Sequence, residues 1–195
     1  MDAILGGAAR VFGERGYAGG TTNRIAEAAG VSVGSLYEYF PNKDAILVAL
    51  GKRQLDEMSR DVAAVLEAAR DSQLALDTLM RRFVEAMLEV HERRPDLHRV
   101  IFSEAPHPPE LHACVLQLEE TLAHTVEALL ERCPDVALAD RDTAAHLVVQ
   151  TVEALTHRYV HHHRIHDLPR EAFVNEVVEL LRAYLASADS MRSSS

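Results

Sequence analysis

The chain has 195 residues and a formal net charge of −10, and a chain of this length can bury a substantial core without disulfide bonds. Its two cysteines, Cys114 and Cys133, lack the CxxC spacing of a redox or zinc motif. The acidic charge argues against a protein that coats nucleic acid over its whole surface, because Lys and Arg supply most phosphate binding. No apolar run is long enough to cross a bilayer, and the first residues lack the layout of a secretory signal. We therefore expect a soluble, cytoplasmic protein.

The first fifty or so residues differ in character from the rest of the chain. All nine glycines lie between Gly6 and Gly51, whereas six of the seven prolines come later. Residues 1–53 carry six basic and five acidic side chains, a net charge of +1, which leaves −11 for the remainder. If DNA is a partner, only this N-terminal part is suited to face it. We predict short helices with tight turns here and long helices afterwards.

The stretch TTNRIAEAAGVSVGSLYEYF, residues 21–40, has the spacing of a helix-turn-helix. Such a motif needs a small residue where the second helix crosses the first, and a glycine four residues later to make the turn. Ala26 and Gly30 supply both. Ser32 is a good N-cap for the second helix. The joint spacing of these residues is a more specific signal than any one of them.

Beyond this motif, apolar residues recur at three- and four-residue steps, which is typical of amphipathic helices. The stripes predict long helices over 47–69, 76–90 and 111–129, a short apolar piece over 97–105, and two last helices near 143–163 and 170–187. No alternating pattern predicts a strand. We predict an all-α fold, with a three-helix helix-turn-helix domain over 1–46, a C-terminal helical bundle over 47–187 and a frayed tail over 188–195.

The run from Phe12 to Leu47 resembles the DNA-binding domain of the tetracycline-repressor (TetR) family, through Gly16-Tyr17, Ile25-Ala26, Ala29-Gly30-Val31-Ser32, Gly34-Ser35-Leu36-Tyr37 and Tyr39-Phe40. The resemblance implies a transcriptional regulator, by default a repressor, that leaves a palindromic operator when a small ligand binds the C-terminal domain. It implies that Val33–Phe40 enters the major groove. The residues it assigns to DNA binding are Thr22, Arg24, Val33, Gly34, Ser35, Tyr37, Tyr39 and Lys43.

Several of these assignments have alternatives. Tyr37 and Tyr39 could instead seal the small three-helix core, and Lys43 could be an ordinary solvated charge. Leu36 and Phe40 lie one helical turn apart, so we predict that they occupy the buried face. Leu47 is also predicted to be core.

Two departures from the family pattern affect DNA binding. Val33 stands where many relatives carry a polar residue, so contact there is limited to a thymine methyl group. The basic arm that often precedes the first helix is missing. We expect modest, salt-dependent affinity, with specificity from Arg24, Ser35, Tyr37 and DNA shape.

The resemblance also assigns roles to the C-terminal helices. Those near 143–163 and 170–187 would pack against a second copy as a four-helix bundle, forming a homodimer; the alternative is that they only complete the monomer core. The proposed ligand-binding residues are Phe83, Met87, His91, Phe102, Gln150 and His157, and for each an ordinary core or surface position is the alternative. The abundance of Leu, Val and Met favours an apolar or amphipathic ligand.

Five of the eleven histidines, His157, His161, His162, His163 and His166, crowd one predicted helix end. His157 and His161 are one turn apart and could bind zinc or nickel from a single helix face. The simpler interpretation is that imidazoles near a helix C-terminus are favoured by its dipole. We therefore predict no metal site and no cofactor.

An enzyme and a purely structural helical adaptor are the rival classes. A di-metal bundle would need two Glu-x-x-His pairs, whereas the single such spacing, Glu104 to His107, is interrupted by Pro106. No nucleophile elbow, Walker loop or dinucleotide fingerprint occurs. An adaptor would not need a helix-turn-helix with polar residues on its exposed face. We predict that the chain is not an enzyme.

Overall fold

The computed structural model describes residues 1–70, 75–105, 108–133, 136, 138, 140–161 and 168–187. In these residues the backbone forms nine α-helices and one π-helical turn, and it forms no β-strand. The predicted all-α fold is confirmed. None of the helices found in this part of the chain combines the length and the hydropathy needed to cross a bilayer.

The elements follow the predicted stripes closely. In chain order they are α1 (Asp2–Gly19), α2 (Thr22–Ala29), α3 (Val33–Tyr39), α4 (Lys43–Arg70), α5 (Leu76–Arg93), α6 (Pro95–Arg99), the π-helical turn (Val100–Glu104), α7 (Pro109–Leu130), α8 (Arg141–His161) and α9 (Arg170–Ser187). The short apolar piece predicted over 97–105 forms α6 and the π-helical turn. The predicted tail over 188–195 and the histidines His107, His162, His163 and His166 lie outside the described residues.

The chain packs as two compact units. Unit 1 contains Met1–Glu57 and Arg94–Leu116, and unit 2 contains the described residues of Met58–Arg93 and Gln117–Ser195. The predicted domain boundary at residue 46 falls inside α4. It does not coincide with the division into packing units, and it stays a prediction.

In unit 1 the first three helices pack around fully buried apolar side chains, among them Phe12, Ile25 and Leu36. Helix α1 approaches α2 most tightly at Gly7. A Cβ atom on this residue would lie 2.8 Å from the backbone nitrogen of Ala29 and 3.0 Å from the carbonyl oxygen of Ile25. Only glycine permits this close packing of the two backbones without displacement.

In unit 2, α5 packs against α8 and α9. The buried face of α5 includes Phe83 and Met87, and α8 contributes Val148 and Val152. At the surface, Arg81 of α5 donates a hydrogen bond of 3.0 Å to the Glu171 carboxylate of α9. The apolar stripes read from the sequence are therefore the faces that meet in this core.

Candidate nucleic-acid interface and ligand-binding unit

The helix-turn-helix is built from local caps and one left-handed turn. The Oγ1 atom of Thr21 accepts a hydrogen bond of 3.3 Å from the backbone N–H of Arg24, which caps α2. Gly30 ends α2 with φ +67°, a conformation that favours glycine. The Oγ atom of Ser32 accepts a hydrogen bond of 3.0 Å from the backbone N–H of Ser35, which caps α3. The predicted roles of Gly30 and Ser32 are confirmed.

Helix α3 presents one apolar face to the core and a different face outward. Leu36 and Phe40 are buried, as predicted, and so is Leu47 at the start of α4. Tyr37 is 51% exposed and Tyr39 is 57% exposed. The alternative that these tyrosines seal the three-helix core is therefore wrong. Both phenol groups are available to a partner outside unit 1.

Hydroxyl groups from α2 and α3 lie together on the exposed side of the motif. The hydroxyl of Tyr37 lies 3.2 Å from Oγ1 of Thr22, and Oγ of Ser32 lies 2.9 Å from Oγ of Ser35. Val33 and Gly34 are exposed on the first turn of α3. This surface therefore exposes hydroxyl groups, the backbone at Gly34 and the small apolar side chain of Val33.

The two predicted cationic contacts, Arg24 and Lys43, are anchored to the last residues of α1. Arg24 donates a hydrogen bond of 2.8 Å from Nη1 to the carbonyl oxygen of Gly19. Lys43 donates one of 3.2 Å from Nζ to the carbonyl oxygen of Tyr17, and its Nζ lies 3.9 Å from the centre of the Tyr17 ring. Arginine has five N–H donors and lysine three, so each side chain keeps donors for a phosphate. Lys43 is thus a positioned cation rather than an ordinary solvated charge.

Tyr17 is a residue of this site to which the sequence analysis assigned no role. Its hydroxyl donates a hydrogen bond to the Asp44 carboxylate, next to Lys43 in the chain. Burial, followed by this hydrogen bond and the negative charge of Asp44, raises the pKa of Tyr17 to about 12. The phenol therefore stays protonated and holds the start of α4 against the end of α1. The only indication of this role in the sequence was that Tyr17 belongs to the Gly16-Tyr17 pair of the family pattern.

Four of the six predicted ligand-binding residues lie on the inner side of unit 2. Phe83, Met87 and His91 of α5 are buried, and His157 of α8 is half-buried. The rings of His91 and His157 lie edge to face with their centres 5.7 Å apart. Burial, with the neighbouring imidazoles of His157 and His161, lowers the pKa of His91 to about 3. His91 is therefore neutral at physiological pH.

The other two predicted ligand-binding residues are placed differently. Gln150 lies on the exposed side of α8. Phe102 belongs to unit 1, where its ring centre lies 4.4 Å from that of His98.

The outer side of α8 and α9 carries apolar side chains that do not face the core. On α8, Leu147, Gln150 and Ala154 follow the three- and four-residue steps of one helix face. On α9, Leu180 is 52% exposed, and Tyr184 lies one turn later on the same face. Each of the two helices predicted to dimerise therefore carries exposed apolar side chains.

Comparison with known protein families finds matches at both ends of the chain. Residues 4–50 match the family described as bacterial regulatory proteins, tetR family. Residues 75–185 match the family described as the Tetracyclin repressor-like, C-terminal domain. The second match alone covers more than half of the chain.

Individual relatives agree with these matches. The HTH-type transcriptional repressor AcnR of Corynebacterium efficiens is 30% identical over 154 residues, which cover 76% of this chain and 75% of that protein. A TetR-like transcriptional regulator from Rhodococcus sp. RHA1 has a similar fold, with a TM-score of 0.68, 23% identity and coverage of 95% and 94% of the two chains. The regulator FadR of Bacillus subtilis, solved in complex with stearoyl-CoA, has a TM-score of 0.68, 20% identity and coverage of 92% and 96%.

Proposed function

Because the chain belongs to the TetR family of bacterial transcriptional regulators, we propose that its helix-turn-helix represses genes by binding a palindromic operator, and that a small effector bound in unit 2 releases it. The observation that carries the proposal is the outward face of α3. Tyr37 and Tyr39 are more than half exposed there, although tyrosine normally buries most of its ring. A duplex groove is the partner that this face fits best. Such a regulator works in the cytoplasm, beside the bacterial chromosome.

The residues predicted to contact DNA divide by the chemistry that they offer. The start of α2, with the Thr22 hydroxyl and its unpaired backbone amides, suits a phosphate. Arg24 and Lys43 suit further phosphates, since both are held in place yet keep spare N–H donors. Phosphate contacts position the protein without reading sequence.

Sequence readout falls to α3. Val33 can contact a thymine methyl group, and Gly34 lets the backbone approach the DNA closely. Ser35, Tyr37 and Tyr39 supply hydroxyls to base edges or to the phosphates that flank the groove. With so few base contacts, DNA shape contributes to specificity.

Dimerisation supplies the second recognition helix. A single such helix reads too few base pairs to select one site in a genome. We propose that the outer face of α8 and α9, defined by Leu147, Leu180 and Tyr184, packs against the same face of a second copy. The two recognition helices would then be spaced about 34 Å apart, which is one turn of DNA.

The effector is proposed to be apolar or amphipathic. Phe83 and Met87 offer buried apolar surface, and His91 and His157 offer polar atoms beside it. The similar fold of FadR, which was solved with stearoyl-CoA, supports an effector of this kind. Phe102 and Gln150 stay predictions as ligand-binding residues. The effector would bind more tightly to a conformer whose two recognition helices are wrongly spaced for DNA, and operator affinity would fall by the ratio of its affinities for the two conformers.

Selection of bound sequences from random double-stranded DNA tests the proposal. At modest salt we expect a palindromic motif to be enriched by the unmodified protein. Val33→Glu should abolish enrichment, because it places a negative charge where α3 meets the groove. Leu116→Glu makes the same charge change on α7 of unit 1, at a side chain that is 51% exposed, and should keep the motif. No motif with the unmodified protein, or equal enrichment by Val33→Glu and Leu116→Glu, would contradict the proposal.

A further inference from the structure

Three histidines of unit 2 converge at the C-terminal ends of two helices. His91 lies in the last turn of α5, and His161 is the last residue of α8, one turn after His157. The ring centres of His157 and His161 lie 4.7 Å apart, and those of His91 and His161 lie 6.1 Å apart. One ring nitrogen of each of these imidazoles lies within 4.8 Å of a ring nitrogen of each of the others.

This spacing is close to that of a metal site. Nitrogen ligands bind zinc at about 2.0–2.1 Å, so two ligands of a tetrahedral ion lie roughly 3.4 Å apart. Small side-chain rotations would close the remaining gap. His157 and His161 project from the same helix face, and His91 approaches from the packed helix α5.

The chemical state of the site also suits a cation. Imidazole binds a metal in its neutral form. The last turns of α5 and α8 carry carbonyl groups without helical partners, which give helix C-termini partial negative charge. A positive ion at this position therefore meets favourable helix dipoles.

We propose that His91, His157 and His161 bind a divalent transition-metal ion, zinc or nickel. Imidazole is a preferred ligand of both ions. The inference goes beyond the proposed regulatory function and does not rest on it.

Metal binding to the full chain is measured by isothermal titration with zinc chloride and with nickel chloride after removal of bound metal by EDTA. We expect one ion per chain. His157→Gln and His161→Gln should each weaken binding by at least about tenfold, since changes even to the partners of metal ligands have effects of this size. His124→Gln is the matched control, because this histidine of unit 2 is exposed, and it should bind as the unmodified chain does. Binding that is unchanged in both ligand variants would overturn the proposal.

The neighbouring histidines His162, His163 and His166 require their own control. A variant with all three changed to Gln should keep the single ion. If it loses the ion while His157→Gln keeps it, the histidine run binds metal and the proposed site does not exist. His91→Gln replaces a fully buried side chain, so the fold of this variant is checked by circular dichroism. If the variant is unfolded, the test rests on His157→Gln and His161→Gln.

The outcome is separable from that of the proposed function. Selection of operator DNA by the unmodified protein in EDTA tests DNA binding without metal. An enriched motif without metal binding by the protein overturns the metal site and leaves the regulator intact. One bound ion without any enriched motif supports the metal site and contradicts the proposed regulator.

Discussion

The hydroxyl of Tyr37 lies 3.2 Å from Oγ1 of Thr22, so the recognition helix α3 is linked to the first turn of α2 by two exposed hydroxyls. Thr22 comes directly after the residue that caps α2, where backbone amides have no helical partner. The pair therefore orients a phenol beside a natural phosphate site. It gives the exposed tyrosine a fixed direction, which an isolated surface side chain would lack.

Tyr37→Phe is expected to weaken operator binding by about 1.5–3 kcal/mol, which is typical of a lost hydrogen bond to a charged group. Folding stability should change by no more than about 0.5 kcal/mol, because the side chain is exposed. Fluorescence anisotropy with a selected operator measures the first quantity, and urea unfolding measures the second. Thr22→Val combined with Tyr37→Phe should cost less than the sum of the single changes, because the hydroxyls act together. Strict additivity would show that they act independently.

Lys43→Ala is expected to lower affinity by a similar factor for every DNA sequence, since a phosphate contact carries no sequence information. The slope of log affinity against log salt concentration should fall by about 0.9, the value for one phosphate contact. The control is Lys52→Ala, which removes an exposed lysine from α4. It should leave the slope nearer that of the unmodified protein. A Lys43→Ala loss confined to some sequences would place this lysine at a base edge instead.

Gly7→Ala is expected to destabilise the protein by about 1–3 kcal/mol, the usual cost of overpacking. The added Cβ atom would meet the backbone of α2 at 2.8 Å, and backbone cannot rotate away as a side chain can. Gly6→Ala is the matched control, because a Cβ there has nothing within 4 Å. In an open helical position alanine should instead stabilise by about 0.5–1 kcal/mol. Equal effects of the two changes in urea unfolding would argue against the close approach of α1 and α2.

The pair formed by His146 and Glu120 is expected to make stability depend on pH. Nε2 of His146 lies 3.0 Å from the Glu120 carboxylate, and this hydrogen bond is the main cause that raises the pKa of His146 and lowers that of Glu120. A raised histidine pKa gives stability that is present below the unfolded pKa, about 6.5, and is lost as the pH rises through the folded pKa.

Unfolding at pH about 6 and about 9 tests this linkage. The stability advantage of the unmodified protein over His146→Gln should be larger at the lower pH. Glu120→Gln should remove the same difference, and the double variant should add nothing further. An advantage that is constant between the two pH values would show that the imidazole gains nothing from Glu120.

Leu180→Glu is expected to convert the proposed homodimer to a monomer, because it places a charge in the apolar face of α9. Sedimentation measures the change in mass. Operator affinity should fall by about a hundredfold or more, since the second half-site no longer binds within one complex. Leu116→Glu, at a leucine of nearly equal exposure, should leave the mass unchanged. A monomeric unmodified protein, or the same loss in both variants, would contradict the proposed interface.

Much of this architecture could be predicted from the sequence because it depends on neighbouring residues. The caps Thr21 and Ser32 act on amides three residues away, and Gly30 determines its own turn. Apolar periodicity identifies helix faces for the same reason. Leu36 and Phe40 could therefore be assigned to the core from their separation of one helical turn.

The sequence by itself determined the helices, the helix-turn-helix and the family, since these follow from spacings of three or four residues along one segment. Tertiary structure alone decided that Lys43 rests on Tyr17, that Gln150 points outward, and that His91 joins two histidines of α8. These relationships join residues 26 or more positions apart, or depend on which side of a helix faces its neighbours. Periodicity within one helix carries no record of the rotation and depth at which that helix packs.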